Sequence, residues 1–191
     1  MEYIEIREER ATDARAVREV NEAAFGQWGE AALVEALHQA GAVALSLVAE
    51  DLAAEYRAND TTEGSGAVVR HILFSPVVID ASPERTSAIT DGRIVGLAPM
   101  AVRPDRQRQG IGSALVRRGI EMLREAGWHG VVVLGHPAYY PRFGFIPAGR
   151  FGLRYEHPCP DDAFMALELV TGAFQGHAGI VRFHDAFRVV E

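Results

Sequence analysis

The sequence predicts one mixed α/β domain, α+β with a mixed sheet, over residues 1–191. Three observations carry that reading. Apolar residues alternate with period two in several short segments and recur at helical spacing in others. The turn Gln107-Arg108-Gln109-Gly110-Ile111-Gly112-Ser113 follows an apolar stretch, Ile94 to Val102, and opens an amphipathic one, Ser113 to Ala126, so it reads as strand, turn, helix. Val131 to Leu134 is short and wholly apolar, as expected of a strand in a parallel pair covered on both faces.

The elements follow in order. Tyr3 to Arg7 alternates as a strand. Thr12 or Asp13 is placed to cap a helix running to about Phe25, with Val17, Val20 and Ala24 on one face. A second helix runs from about Glu30 to Ala40, with Leu33, Ala36, Leu37 and Ala40 as its stripe and Gly41 as its stop. Val43, Leu45, Leu47 and Ala49 alternate as the next strand. Leu52 to Gly66 is polar, ends in Glu-Gly-Ser-Gly and reads as an insertion between strands. Ala67 to Ile79 reads as one long apolar strand, bulged near Pro76, and Asp80 to Arg93 as a polar connection. The helix after the glycine turn should bury Leu115, Val116, Gly119, Met122, Leu123 and Ala126, and stop at Gly127. Late strands are expected at Met165 to Leu169 and Ile180 to His184.

A chain of 191 residues suits one domain with a sizeable core. Apolar content of 48% and charged content of 24% are ordinary for a soluble globular protein. A net charge of −7 argues against nucleic acid as the main partner. The single cysteine, Cys159, excludes an internal disulfide. Met1 to Arg10 is charged without an apolar core, so no signal peptide is expected, and no apolar run is long enough to span a bilayer. The expectation is a cytoplasmic protein without a membrane partner.

Two glycines at a helix start let the backbone approach a bulky anion, and the free N–H groups of the first turn, with the helix dipole, favour its charge. Three phosphate-binding patterns compete. A Rossmann fingerprint wants a third small residue where Leu115 stands. A P-loop needs lysine, and this chain has none. The third pattern, [QR]-x-x-G-x-[GA], is matched by Gln107, Gly110 and Gly112. With the flanking runs "GLAPMAVRPDRQRQGIGSALV" and "VVVLGHPAYYPRFGF", the chain resembles the GNAT superfamily of N-acetyltransferases, in its YhbS-like branch.

That resemblance implies a GNAT acyl-CoA N-acyltransferase fold in which two central parallel strands splay apart. It implies acetyl-CoA as cosubstrate, bound by Gln107, Arg108, Gln109, Gly110, Ile111, Gly112 and Ser113, and no metal. Pro99 in an apolar strand marks an edge or a bulge. In the family, the pantetheine arm lies in the gap beside such a strand, against the backbone of Met100, Ala101 and Val102. Tyr140 stands four residues before Gly144-Phe145, the family's position for the acid that protonates the leaving sulfur, and it lies against the cofactor. His136, at the end of the parallel strand, is the candidate base, with His71 on a neighbouring strand as another. Arg103, Arg106 and Arg108 flank the phosphate loop, either pairing with coenzyme A phosphates or forming a solvated face. His157-x-Cys159 is too little for a metal site.

The function implied is acetyl transfer to a primary amine by direct attack, the acceptor being a small molecule or a peptide. A homodimer is compatible with it. The rival is a non-catalytic acyl-CoA-binding or sensing module on the same fold.

Overall fold

Strand β1, Ile4–Glu8, leads through a 3-10 turn into helix α1, Ala14–Phe25. A computed structural model describes residues 4–53, 67–81 and 93–190. Asp13 stands at the helix start, but its carboxylate does not cap the helix. It accepts from the Arg10 N–H at 2.7 Å and from Arg7 at 2.6 and 3.0 Å. Gly26, in the left-handed region at φ 70°, ends α1. Helix α2, Gly29–Gln39, buries Ala31, Leu33, Val34 and Leu37, whereas Ala40 lies past its end and is exposed. Three strands follow: β2, Leu45–Asp51; β3, Ala67–Pro76; and β4, Val78–Ala81. The polar segment read as an insertion lies, beyond Ala53, outside the described residues.

Strand β5, Ile94–Val102, runs through a 3-10 turn to helix α3, Ile111–Glu125. Strand β6 is Gly130–Leu134. Short strands β7, Ile146–Pro147, and β8, Leu153–Tyr155, precede β9, Phe164–Glu168, and β10, Gly179–Arg182. A last 3-10 turn covers Asp185–Val189. The main sheet has the order β1-β2-β3-β5-β6-β9-β7, and only its β5–β6 pair is parallel. This is the mixed α/β arrangement expected of the GNAT fold. Among the described residues no helix is long and apolar enough to cross a membrane.

Two expectations need correction. Ala67 to Ile79 is not one strand. The chain leaves the main sheet at Pro76, and Val78–Ala81 pairs instead with β10 in a second sheet, ordered β4-β10-β8. The connection expected from Asp80 therefore starts later, and residues 82–92 lie outside the described residues. Met122 is only half-buried and Ala126 is exposed; Ile111 and Ile120 take their places in the core.

Strand alternation sorts the core into faces. Ile72 and Phe74 join Leu115, Val116 and Leu123 beneath α3, while Leu73 joins Val17, Leu33 and Leu37 beneath α1 and α2. Each such side chain contributes about 1.5–3 kcal/mol on burial. Gly119 lets α3 lie close to the sheet: a Cβ there would stand 2.6 Å from Phe74 Cε2. We expect Gly119→Val to cost about 1–3 kcal/mol through overpacking, read as a lowered thermal midpoint. An unchanged midpoint would show that the helix does not seat on Phe74.

A buried polar cluster ties three elements together. His71 on β3 is fully buried. Its Nδ1 faces the Asn21 amide nitrogen at 3.1 Å, and its Nε2 lies 2.9 Å from Ser46 Oγ and 3.5 Å from Glu9 Oε2. Asn21 also donates to Val17 O at 2.8 Å, so the amide donates to Nδ1 and the proton of His71 sits on Nε2. Burial alone would raise the Glu9 carboxyl. The hydrogen bonds from His71 and Ser46 and the neighbouring histidines outweigh it and bring it from the ordinary 4.5 down to about 2. Folded Glu9 thus binds its proton more weakly than unfolded Glu9. Its stabilisation is complete above pH 4.5 and is lost as pH falls toward 2. Urea midpoints across that window should fall less steeply in Glu9→Gln, which should also be the less stable protein at pH 7. Parallel curves for the two proteins would remove Glu9 from the acid response.

Candidate active site

The centre of the main sheet is open. The parallel ladder joins only Ile94, Val95 and Gly96 to Gly130, Val131 and Val132. Beyond Gly96 the two strands part. On its other edge β5 faces β3, where Leu97 opposes Phe74 and Met100 opposes Ile72. Three steps on β5 match two on β3, so β5 carries one extra residue around Ala98 and Pro99, a bulge that turns the strand away from β6. The proline read from sequence as a bulge marker sits in that bulge.

Two cavities flank the opening. The first, about 610 Å³, is lined by Met100 and Val102 of β5, by the glycine turn, and by Arg70, Tyr139 and Arg142. Gln107, Arg108, Gly110, Gly112 and Ser113 face it, while Gln109 and Ile111 do not; Ile111 is buried in the core and anchors the turn. Gly110 has φ 78°, and Arg108, at φ 62°, is the only other residue of the turn in that region. No side chain caps α3; the Ser113 N–H turns back to the Gly110 carbonyl at 3.1 Å, which leaves the N–H groups of Ile111 and Gly112 for the cleft. A Cβ on Gly112 would lie 3.1 Å from a guanidinium nitrogen of Arg70 and 3.2 Å from the Tyr139 hydroxyl.

Arg70 was not singled out for this role from sequence, yet it is the most telling side chain of the cleft. It is 2% exposed, donates to the Arg106 carbonyl, and leaves Nε buried without a partner. Burial lowers its pKa, and the nearby Tyr139 opposes that. No carboxylate pairs with it among the described residues. Arg103 and Arg106 are engaged otherwise, by Asp105 at 3.1 Å and by Asp51 at 2.7 Å. Gln107 donates to Val102 O at 3.3 Å and ties the turn to the end of β5. Three arginines, 70, 108 and 142, thus line a cleft in which no acidic side chain takes part. A buried, under-bonded guanidinium beside open helix N–H groups suits a pyrophosphate.

The second cavity, about 380 Å³, lies on the other side of Met100. Leu97, Ala98 and Pro99 form one wall, and Tyr140, Tyr155, Phe183 and Phe187 form others. Phe25 and Met100 line both cavities, so the two meet there. Tyr140 is 7% exposed and packs edge-on against Tyr139 and Phe145, at centroid distances of 5.1 and 5.6 Å. Its ring lies over Gly135, where a Cβ would come within 2.3 Å. Burial, and then Tyr139, push its phenol well above the ordinary range, so it keeps its proton at physiological pH.

The remaining candidates lie elsewhere. His136 is exposed in the turn after β6, its Nδ1 accepts from the Ala138 N–H at 3.3 Å, and it lines neither cavity. His71 is sealed in the cluster with Asn21, Ser46 and Glu9. Ala101 packs beneath α1 and α2, so only its backbone is left for the gap. Among the described residues no three His, Cys, Asp or Glu side chains are grouped to hold a metal.

A model of the acetyltransferase (GNAT) domain matches residues 76–147. The uncharacterized N-acetyltransferase YhbS of Escherichia coli K12 is 34% identical over 182 residues, 95% of this chain and 97% of that one. YjhQ from the same strain, also an uncharacterized N-acetyltransferase, is 39% identical over 179 residues, 91% and 88% of the two chains. The crystal structure of E. coli YhbS in complex with CoA superposes with a TM-score of 0.83, at 33% identity, covering 97% of this chain and 92% of that one. A GNAT family acetyltransferase from Brucella melitensis in complex with acetyl-CoA gives 0.71 at 35% identity, covering 98% and 99%. Kinship at this level, across nearly the whole length, means that the chain belongs to the GNAT family of N-acetyltransferases.

Proposed function

We propose that residues 1–191 act as one cytoplasmic domain that transfers the acetyl group of acetyl-CoA directly to a primary amine. One observation carries the reading: an arginine-lined cleft and an aromatic-lined cavity meet at Met100 and Phe25, where β5 has parted from β6.

In this reading the backbone N–H groups of Gly110, Ile111 and Gly112 and the Ser113 hydroxyl hold the pyrophosphate, with Arg70 and Arg108 supplying charge. Gln107 fixes the turn, and Gln109 closes its outer side. The backbone of Met100, Ala101 and Val102, on the edge that faces away from β3, holds the pantetheine arm. The amine enters from the other cavity. As ammonium it first loses one proton to solvent, with exposed His136 as the acceptor through water. The nitrogen then bonds to the thioester carbonyl carbon, and a backbone N–H near Met100 stabilises the oxyanion. The C–S bond breaks, Tyr140 gives its proton to the sulfur, and the proton released by the nitrogen returns to Tyr140. The products are an amide and the free thiol of CoA, with one proton released overall.

Gly112→Val should abolish acetyl-CoA binding in calorimetry while leaving circular dichroism unchanged, because the branched side chain fills the space beside Arg70 and Tyr139. Equal affinity of the two proteins would refute the loop assignment. Tyr140→Phe keeps the ring on Gly135 and removes only the hydroxyl, so kcat should fall by on the order of 10² with little change in acetyl-CoA affinity. Tyr139→Phe is the control. An unchanged kcat in a chemistry-limited assay would leave water as the proton source.

A further inference from the structure

We infer that the acceptor is a small primary amine carried on an apolar, aromatic body, and that Glu30 draws its ammonium group into the cavity before the nitrogen is deprotonated. The inference rests on the transferase reading and names the substrate class of its second cavity.

Charge is divided sharply between the two cavities. The phosphate-side cleft holds three arginines and no carboxylate. In the other, Glu30 is the one ionisable acid or base of ordinary carboxylate or amine type among the described lining residues. Everything else there is apolar or phenolic. Glu30 lies in the first turn of α2, where the helix dipole favours a carboxylate. The Gln27 amide lies 3.1 Å from each of its two oxygens, which holds the carboxylate in place. It is half-buried and forms no ion pair with a cation among the described residues.

Aromatic rings line the same cavity as Glu30. Phe183 lies tilted against Phe187, ring centroids 4.8 Å apart, and meets Tyr155 edge-on at 5.7 Å. Phe183 also fills the space that a side chain at position 96 would take, 2.2 Å from a Cβ on Gly96, so this wall is locked to β5. Ring faces attract both a flat apolar body and a cation. One carboxylate among rings in a single cavity therefore selects an ammonium at one end and an apolar group at the other. An amino sugar or polar peptide terminus would leave hydroxyl or amide groups unpaired against these rings, at a cost of about 1–3 kcal/mol each, and a polyamine would leave a further ammonium unpaired. The volume, about 380 Å³, is near the lower end for small-molecule sites, roughly 300–1,000 Å³, and suits a single-ring amine. Net charge plays no part, since the selectivity comes from one residue.

The test uses the full chain with acetyl-CoA and a panel of 2-phenylethylamine, glucosamine, spermidine and an alanine-terminated peptide. We expect kcat/KM for 2-phenylethylamine to exceed that of each polar amine at least ten-fold. Glu30→Gln keeps size and shape. It should raise KM for 2-phenylethylamine about ten-fold, leave acetyl-CoA affinity unchanged, and leave inhibition by uncharged 2-phenylethanol as in wild type. That last readout shows that the aromatic wall is intact in the variant. Equal or better turnover of the polar amines, or an unaltered KM in Glu30→Gln, would overturn the acceptor class and leave the transferase standing. A protein that binds acetyl-CoA and acetylates none of the panel would overturn both.

Discussion

A single extra residue in β5 governs the site. Placed between Leu97 and Met100, it breaks the match with β3 and turns the strand out of register with β6, so the parallel ladder stops after Gly96. Interior strands normally satisfy every N–H and C=O through their neighbours. Here the main sheet gives up several such bonds in its middle, and the unpaired edge becomes a place where an extended ligand can complete the ladder. The cost falls on the free protein. The bulge also decides where the cavities meet, because Met100 is the first residue beyond it that faces both.

Buried charge is the second organising feature. Arg70 is nearly sealed, donates to a loop carbonyl and has an orphaned Nε. A lone buried cation costs several kcal/mol unless it is compensated. Nothing in the surrounding fold neutralises it among the described residues, which makes sense where an anionic partner arrives from outside. His71, one residue along, is the opposite case. Its ring nitrogens are both used internally, and it serves the joint between β1, β2 and α1.

The glycine turn, α3 and the parallel strand after it were legible because their signals are local. Positive φ at Gly110, the apolar stripe of α3 and the proline in β5 each announce themselves within a few residues. Tyr140 was found through its spacing from Gly144-Phe145, which the geometry makes meaningful by seating the ring on Gly135. Other features come from distant segments and leave no local mark. Pro76 read as a bulge, but the strand in fact changes sheets there, because Val78–Ala81 pairs with Gly179–Arg182 about a hundred residues later. Glu30 looks like any acid in a helix's first turn until the fold lines one cavity with it and the C-terminal rings. Arg70 looks like a charged residue out of place in an apolar strand. Only the approach of Gly112 and the Arg106 carbonyl shows why it is buried.

The two cavities draw on different parts of the chain. The phosphate side is written mostly between Met100 and Arg142, with Arg70 beneath. The aromatic-lined cavity shares Leu97 to Met100, Leu134 and Tyr140 with the middle of the chain but adds Glu30, Leu33, Tyr155, Phe183, Phe187 and Val190 from the segments on either side. Mutations at those six positions, none of which lines the arginine cleft, can remodel one chamber without passing through variants that lose the other. A lineage built on this plan could therefore diversify in what it modifies while inheriting its cosubstrate unchanged, and relatives should diverge fastest in the aromatic wall.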